Sequence, residues 1–130
     1  MRDRSGHTYQ YWYVPDMQPM GVFFYQTRAG NEPAREWLRG LTADQRRAIG
    51  EDLKVVQSRW PLGMPLVRKM DKGLWELRST IPDGIARLFF SVWDERVIVL
   101  HGFVKKSGKT PDNELETAQR RLTDFTRNIP

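Results

Sequence analysis

The sequence contains no cysteine and only two histidines, His7 and His101. The missing cysteines exclude disulfides, thiolate metal sites, iron–sulfur clusters and cysteine nucleophiles. Two histidines give little basis for a zinc site built from several imidazoles. No apolar run reaches the length of about 18 residues that spans a membrane, and the polar residues 1–10 are unlike a signal peptide. We therefore expect a cytoplasmic protein that makes no membrane contact.

Basic residues outnumber acidic residues in this chain. Its 130 residues include 21 Lys and Arg against 16 Asp and Glu, for a net charge of +5, and the length suits one domain. The basic excess is largest within residues 66–110. A concentrated positive surface predicts a polyanionic partner such as a nucleic acid, and the alternative is a basic but inert surface.

Residues 1–19 differ from the rest of the chain. They hold three of the four tyrosines and show no helical period. We interpret them as an N-terminal extension, in part disordered, and residues 20–130 as the folded domain. One explanation is that Met20 is the natural start and that the preceding residues are an upstream extension of the reading frame.

The first half of the domain predicts one strand and two helices. The β-branched and aromatic residues 22–27 are typical of a strand. Pro33 favours the first turn of a short helix that ends near Leu41. Thr42 and Gln45 have capping-box spacing, which predicts the start of a longer helix. That helix carries an apolar stripe of Ile49, Leu53, Val56 and Trp60.

The second half predicts three strands and a helix. The strands are expected at residues 74–80, 85–93 and 96–104, and the short connections between them predict an antiparallel meander. Thr110 is the expected cap of the last helix. Its apolar stripe consists of Leu115, Ala118, Leu122, Phe125 and Ile129. The predicted order is β-α-α-β-β-β-α, an α+β fold.

The hairpin loops predict which side chains face each other. If both loops are symmetric, Arg78 lies opposite Arg87 and Gly102 lies beside Arg87 on the third strand. Facing arginines repel each other, so Arg87→Ala is expected to leave the fold intact. Two guanidinium groups that converge also form an anion site, and Gly102 would leave space for a phosphate. The alternative is that Glu76 and solvent screen the two charges.

The same register places His101 on the apolar face of the sheet, opposite Leu88. A single histidine in such a place is more often a hydrogen-bonded core residue than a catalytic one. We therefore expect His101 to be structural.

Several short motifs resemble a known family. Residues 74–78 read LWELR, residues 85–90 read IARLFF and residues 101–111 read HGFVKKSGKTP. Together with WPLGMP at residues 60–65 and AQRR at residues 118–121, they resemble the phage-derived HigB-like toxins of the RelE/ParE superfamily. The resemblance implies a twisted antiparallel sheet with two N-terminal helices and a C-terminal helix.

The resemblance also implies a function. It implies the toxin of a type II toxin–antitoxin module, a ribosome-dependent mRNA endoribonuclease that needs no metal or other cofactor. The expected partners are mRNA on the ribosome and a helix-turn-helix antitoxin from the same operon, with operator DNA bound only through the antitoxin. The RNA 2′-OH would attack the adjacent phosphate, and the protein would position it, stabilise charge and move protons.

Individual residues receive roles from this resemblance. Arg78 and Arg87 would hold the phosphate and stabilise the transition state, and Lys105 would transfer a proton. RNA-binding roles are expected for Arg68, Lys69, Lys106 and Lys109, and Lys106 or Lys109 could replace Lys105.

The sequence departs from the RelE pattern in two places. Glu76 stands in the strand where RelE-type nucleases carry lysines, and no tyrosine follows Tyr25. Glu76 is expected either to orient Arg78 or to act as a general base. Two other functions stay open: a ParE-like poison of DNA gyrase, and a non-catalytic module that binds nucleic acid or a partner.

Overall fold

The computed structural model describes residues 19–105 and 109–129. The predicted N-terminal extension, apart from Pro19, and the predicted RNA-binding residue Lys106 lie outside these residues. Within them the fold is α+β, with three helices and a five-stranded mixed sheet. The elements in chain order are β1 Gly21–Phe24, α1 Pro33–Arg39, α2 Ala43–Arg59, β2 Val67–Asp71, β3 Leu74–Ile81, β4 Gly84–Trp93, β5 Arg96–Lys105 and α3 Asp112–Arg127.

The structure corrects the predicted sheet in two respects. The spatial order is β1-β5-β4-β3-β2, and β1 pairs with β5 in parallel, so the sheet is mixed and not purely antiparallel. The chain also contains the strand β2, which the predicted β-α-α-β-β-β-α order lacks. Its sequence VRKMD is short and charged, as edge strands often are, and it shows no clear alternation of apolar and polar residues.

The two N-terminal helices cover one face of the sheet. The capping box at the start of α2 is confirmed, because the Thr42 hydroxyl accepts from the Gln45 backbone N–H and the Gln45 side chain accepts from the Thr42 backbone N–H. Three residues of the predicted apolar stripe are buried against the sheet, and Trp60 packs at its border. No helix of the described residues is both long and apolar enough to cross a membrane.

Helix α3 covers the opposite face. Its residues Leu115, Leu122 and Phe125 pack around buried Ala118, as the stripe predicts. They contact a core cluster on the sheet that includes Leu74, Phe89, Ile98, Leu100 and Phe103. The helix begins at Asp112 with Pro111 as its N-cap residue, so the predicted cap at Thr110 is wrong. The Thr110 hydroxyl donates instead to a side chain of β3.

The predicted pairing of β3 with β4 is confirmed. Thr80 lies opposite Ile85, and Arg78 lies opposite Arg87. The hairpin of β4 and β5 also begins as predicted, with Trp93 opposite Arg96. Its two loop residues, Asp94 and Glu95, have positive φ values of 52° and 58°, as a type I′ turn requires.

A β-bulge interrupts the predicted register farther along β5. Phe90 pairs with Val99, but Phe89 pairs with His101, which leaves Leu100 as an extra residue. A bulge of this kind shifts every later residue of the strand by one position relative to its partner. All faces predicted for β5 beyond Leu100 are therefore reversed.

Gly102 shows the consequence of the bulge. Phe103, and not Gly102, lies opposite Arg87, while Gly102 lies opposite Leu88. A Cβ atom on Gly102 would lie 2.4 Å from Cζ3 of Trp37 on α1. The glycine therefore admits the indole ring on the helical side of the sheet, and it does not open space above the arginines.

Candidate functional site

The strand register brings three predicted site residues onto one face of the sheet. Arg78 and Arg87 form one cross-strand pair, and Lys105 pairs with Ile85, two residues along β4 from Arg87. Since strand side chains alternate between faces, all three belong to the face that α3 partly covers. Lys105 is half-buried.

The predicted RNA-binding residues are divided by the same alternation. Arg68 of β2 lies opposite Glu76 and shares the face of the two arginines. Lys69 lies opposite Trp75 and therefore belongs to the other face. Both are exposed, as is Lys109, which follows the strand that contains Lys105. The structure thus brings Arg68 to the candidate site and places Lys69 away from it.

Arg87 belongs to a buried polar network. Its side chain is 1 % exposed, and its Nη1 atom lies 3.6 Å from Oε1 of Glu76, which is fully buried. The same Nη1 donates to the Thr110 hydroxyl at 3.2 Å, and this hydroxyl donates to Oε2 of Glu76. The carboxylate offsets the positive charge of Arg87, which explains how two arginines face each other in a stable sheet.

Glu76 therefore pairs with a different arginine from the one predicted. The sequence suggested that it orients Arg78, whereas its carboxylate contacts Arg87 and Thr110. Thr110 immediately precedes the N-cap of α3. The network consequently ties the start of α3 to the central strands.

Arg78 is the more accessible arginine of the pair. It is partly exposed, and its buried Nε has no hydrogen-bond partner within residues 19–105 and 109–129. Arg78 lines a cavity of about 520 Å³ at the end of β3, together with Thr80, Ile85, Leu66, Glu51 and Asp52. A cation at the wall of an open cavity can receive an anionic group of a ligand.

His101 contacts α3 rather than the core under α1 and α2. It lies opposite Phe89 and not opposite Leu88, because the bulge reverses its predicted face. Its Nε2 lies 2.6 Å from Oε1 of Glu114, and its Nδ1 lies 3.2 Å from Nη1 of Arg121. Arg121 also donates to the carbonyl oxygen of Leu100, the extra residue of the bulge, at 2.8 Å.

Burial and these contacts shift the pKa of His101. Burial lowers the pKa of His101 below its ordinary value of 6.5, and Arg121 lowers it further, whereas the Glu114 carboxylate raises it. In the neutral tautomer that carries its proton on Nε2, the imidazole donates to Glu114 and accepts from Arg121 at Nδ1. No group of three or more His, Asp or Glu side chains among the described residues could hold a metal ion. The contacts of His101 are structural, because they dock α3 onto β5.

Sequence reasoning missed a second polar cluster, around Tyr25. The Tyr25 hydroxyl donates to Oδ2 of Asp124 at 2.6 Å, and burial followed by this carboxylate raises the pKa of Tyr25. A cavity of about 620 Å³ adjoins it, lined also by Arg120, Arg121 and Arg127. The only signal in the sequence is the spacing of these arginines beside the apolar stripe of α3.

The comparison with known families agrees with the family resemblance of the sequence motifs. The family described as phage derived protein Gp49-like (DUF891) matches residues 36–123, which is more than half of the chain. The chain therefore belongs to the Gp49-like family, which is toxin-like and of the RelE/HigB type. No curated protein shows significant similarity to the chain.

Proposed function

We propose that this protein is the toxin of a type II toxin–antitoxin module and cleaves mRNA on the ribosome without a metal ion. Membership of the Gp49-like family supports a toxin of this type. The observation that supports the proposed cleavage is the position of Arg78. This partly exposed cation lines an open cavity and lies opposite Arg87 on the neighbouring strand.

The proposed chemistry uses the RNA's own 2′-OH as the nucleophile. Arg78 contacts the scissile phosphate and stabilises the charge that develops on it, an interaction that strengthens toward the transition state. Lys105, on the same face, transfers a proton, and Lys109 is the predicted substitute that lies within the described residues. Arg68 and Lys109 bind neighbouring phosphates, where exposed cations contribute affinity that falls with salt.

Arg87 receives a modified role in this proposal. Its guanidinium is almost fully buried and contacts Glu76 and Thr110. In this buried position Arg87 contributes positive charge to the phosphate site.

The proposed partner that neutralises the toxin is a helix-turn-helix antitoxin from the same operon. Operator DNA would be bound through the antitoxin. Co-expression of the adjacent small gene is expected to restore growth to cells that express the toxin.

The test is induced expression of the full chain in bacteria, with measurement of growth and mapping of RNA 5′ ends. We expect growth arrest and cuts within translated mRNA. Arg78→Ala is expected to lower the cleavage rate by about 10²–10³. Arg78→Lys is expected to recover it only in part, because an ammonium group cannot form the bidentate contact of a guanidinium. Arg28→Ala removes an exposed arginine outside the site and serves as the control.

Other outcomes favour the other functions. DNA damage without RNA cuts would identify a gyrase poison. Growth arrest with neither signal would favour a binding module. Equal loss of cleavage in Arg78→Ala and Arg28→Ala would show that overall charge, and not the Arg78 site, drives the effect.

A further inference from the structure

The cavity beside Arg78 has an apolar part and an acidic part, and a site for phosphate alone needs neither. One part is apolar and includes Leu66 and Ile85. Another part is formed by Glu51 and Asp52, which are consecutive acidic residues of α2. Carboxylates repel phosphate, so a ligand that fits the whole cavity would offer hydrogen-bond donors to this part of the wall as well as an anionic group to Arg78.

Asp52 is held in place by the sheet. Its Oδ2 accepts a hydrogen bond from the Ser79 hydroxyl at 2.6 Å, and Ser79 is buried. A side chain that is fixed before the ligand arrives loses less entropy on binding. Ionised carboxylates only accept hydrogen bonds, so this wall selects ligands that present N–H or O–H groups.

Nucleobases differ in the donors that they present. Guanine carries two adjacent donors on its Watson–Crick edge, N1–H and N2–H, which match the two oxygens of a carboxylate. Adenine and cytosine present only an exocyclic amino group there, and uracil presents only N3–H. Unpaired bases in RNA are commonly recognised on this edge while their flat faces pack against side chains.

We propose that the cavity binds a guanine base of the RNA substrate, next to the phosphate held by Arg78. Glu51 and Asp52 supply the acceptors for the guanine N–H groups, and Leu66 and Ile85 contact the face of the base. This inference rests on the proposed function, since it names the base that the same site prefers. It assigns α2 a role in specificity as well as in the core.

The direct test measures nucleotide binding by calorimetry on the full chain, with guanosine 5′-monophosphate and adenosine 5′-monophosphate as probes. We expect guanosine 5′-monophosphate to bind at least about tenfold more tightly, the discrimination of one good bidentate contact. Asp52→Asn and Glu51→Gln are expected to reduce this ratio while both variants stay folded. Glu36→Gln, an exposed carboxylate of α1 outside the cavity, is the matched control and is expected to keep the ratio.

The second measurement maps cut sites for the wild type and for Asp52→Asn. Enrichment of guanine beside the cuts, lost in Asp52→Asn, supports the inference. Equal binding of the two nucleotides overturns the inference, whether or not RNA is cleaved. Tight binding of guanosine 5′-monophosphate in a protein that cuts no RNA overturns the proposed function but leaves the guanine site standing. Cuts without guanine enrichment overturn the inference, because the cavity then does not bind a guanine of the RNA substrate.

Discussion

The contact between Arg87 and Glu76 places two opposite charges in the interior of a 130-residue domain. Both side chains are 1 % exposed or less. Loss of one partner leaves the other charge buried without its counter-ion, and such a change destabilises proteins strongly. This reverses the expectation from sequence, in which Arg87→Ala would relieve repulsion and leave the fold intact.

At the same scale, we predict that Arg87→Ala lowers the free energy of unfolding by about 3–5 kcal/mol. Arg78→Ala is the control and is expected to change it by less than about 1 kcal/mol, because Arg78 is partly exposed and is not the arginine that pairs with Glu76. The double variant Arg87→Met with Glu76→Leu removes both charges and is expected to recover part of the loss. Urea unfolding followed by circular dichroism measures all three. An Arg87→Ala protein as stable as the wild type would contradict the buried ion pair.

Gly102 gives a second prediction for a single residue. Gly102→Ala is expected to destabilise the protein by about 1–3 kcal/mol, because the new methyl group would overlap the Trp37 ring. Gly50→Ala is the matched control: no atom lies within 4 Å of its added Cβ, and it lies inside α2. This control is expected to stabilise the protein by about 0.5–1 kcal/mol. The same unfolding assay checks both variants. A Gly102→Ala protein that is as stable as the Gly50→Ala protein would contradict the packing at Gly102.

At the scale of elements, α3 is attached to the sheet by apolar and polar contacts. Its apolar stripe packs on β4 and β5. Glu114 and Arg121 bind the His101 ring, and Gln119 donates to Asp71 of β2 at 2.9 Å. Because the Thr110 contact lies at the start of the helix and the Tyr25–Asp124 contact near its end, α3 is held along its whole length.

Phe125 tests this attachment. Its ring meets Trp93 edge to face at a centroid distance of 6.0 Å, and the residue is only half-buried. Phe125→Ala is therefore expected to cost about 1–3 kcal/mol, less than the value of about 3–5 kcal/mol for a fully buried phenylalanine. Thr126→Ala, at the exposed neighbouring position, is the control. A loss below 0.5 kcal/mol in denaturant unfolding would mean that the end of α3 is not docked as described.

At the scale of the whole molecule, stability is coupled to pH through His101. The groups that face its ring are Glu114, Arg121 and Arg120 of α3, and the rings of Phe89 and Phe103. The pKa of His101 is lower in the folded state than its ordinary value of 6.5, chiefly because of burial. Near and below pH 6.5 the unfolded chain therefore binds more protons than the folded protein. The free energy of unfolding falls as the pH decreases through this range.

We predict that the free energy of unfolding of the wild type decreases between pH 7 and pH 5.5. In His101→Gln the decrease is expected to be smaller, because glutamine does not titrate and still offers an N–H to Glu114. His7 is present in both proteins, so its contribution cancels in the comparison. Parallel pH profiles of the two proteins in urea unfolding would show that His101 does not titrate with folding.

The sequence by itself determined the elements and contacts whose causes are local. The Thr42 capping box, the α3 stripe and the Arg78–Arg87 pair each depend on residues close together or joined by a short turn. Turn length sets hairpin register, so the symmetric loop between β3 and β4 was sufficient to place the arginines opposite each other.

Only the tertiary structure decided the contacts between distant segments. The parallel pairing of β1 with β5 and the contact of Thr110 with Glu76 join segments that are far apart in the chain. The bulge at Leu100 shifts the register of β5. No local pattern encodes them, because they depend on which faces α1 and α3 cover. Their effect on the site is large: they bury Arg87, reverse the face of His101 and leave Arg78 as the arginine that meets the cavity.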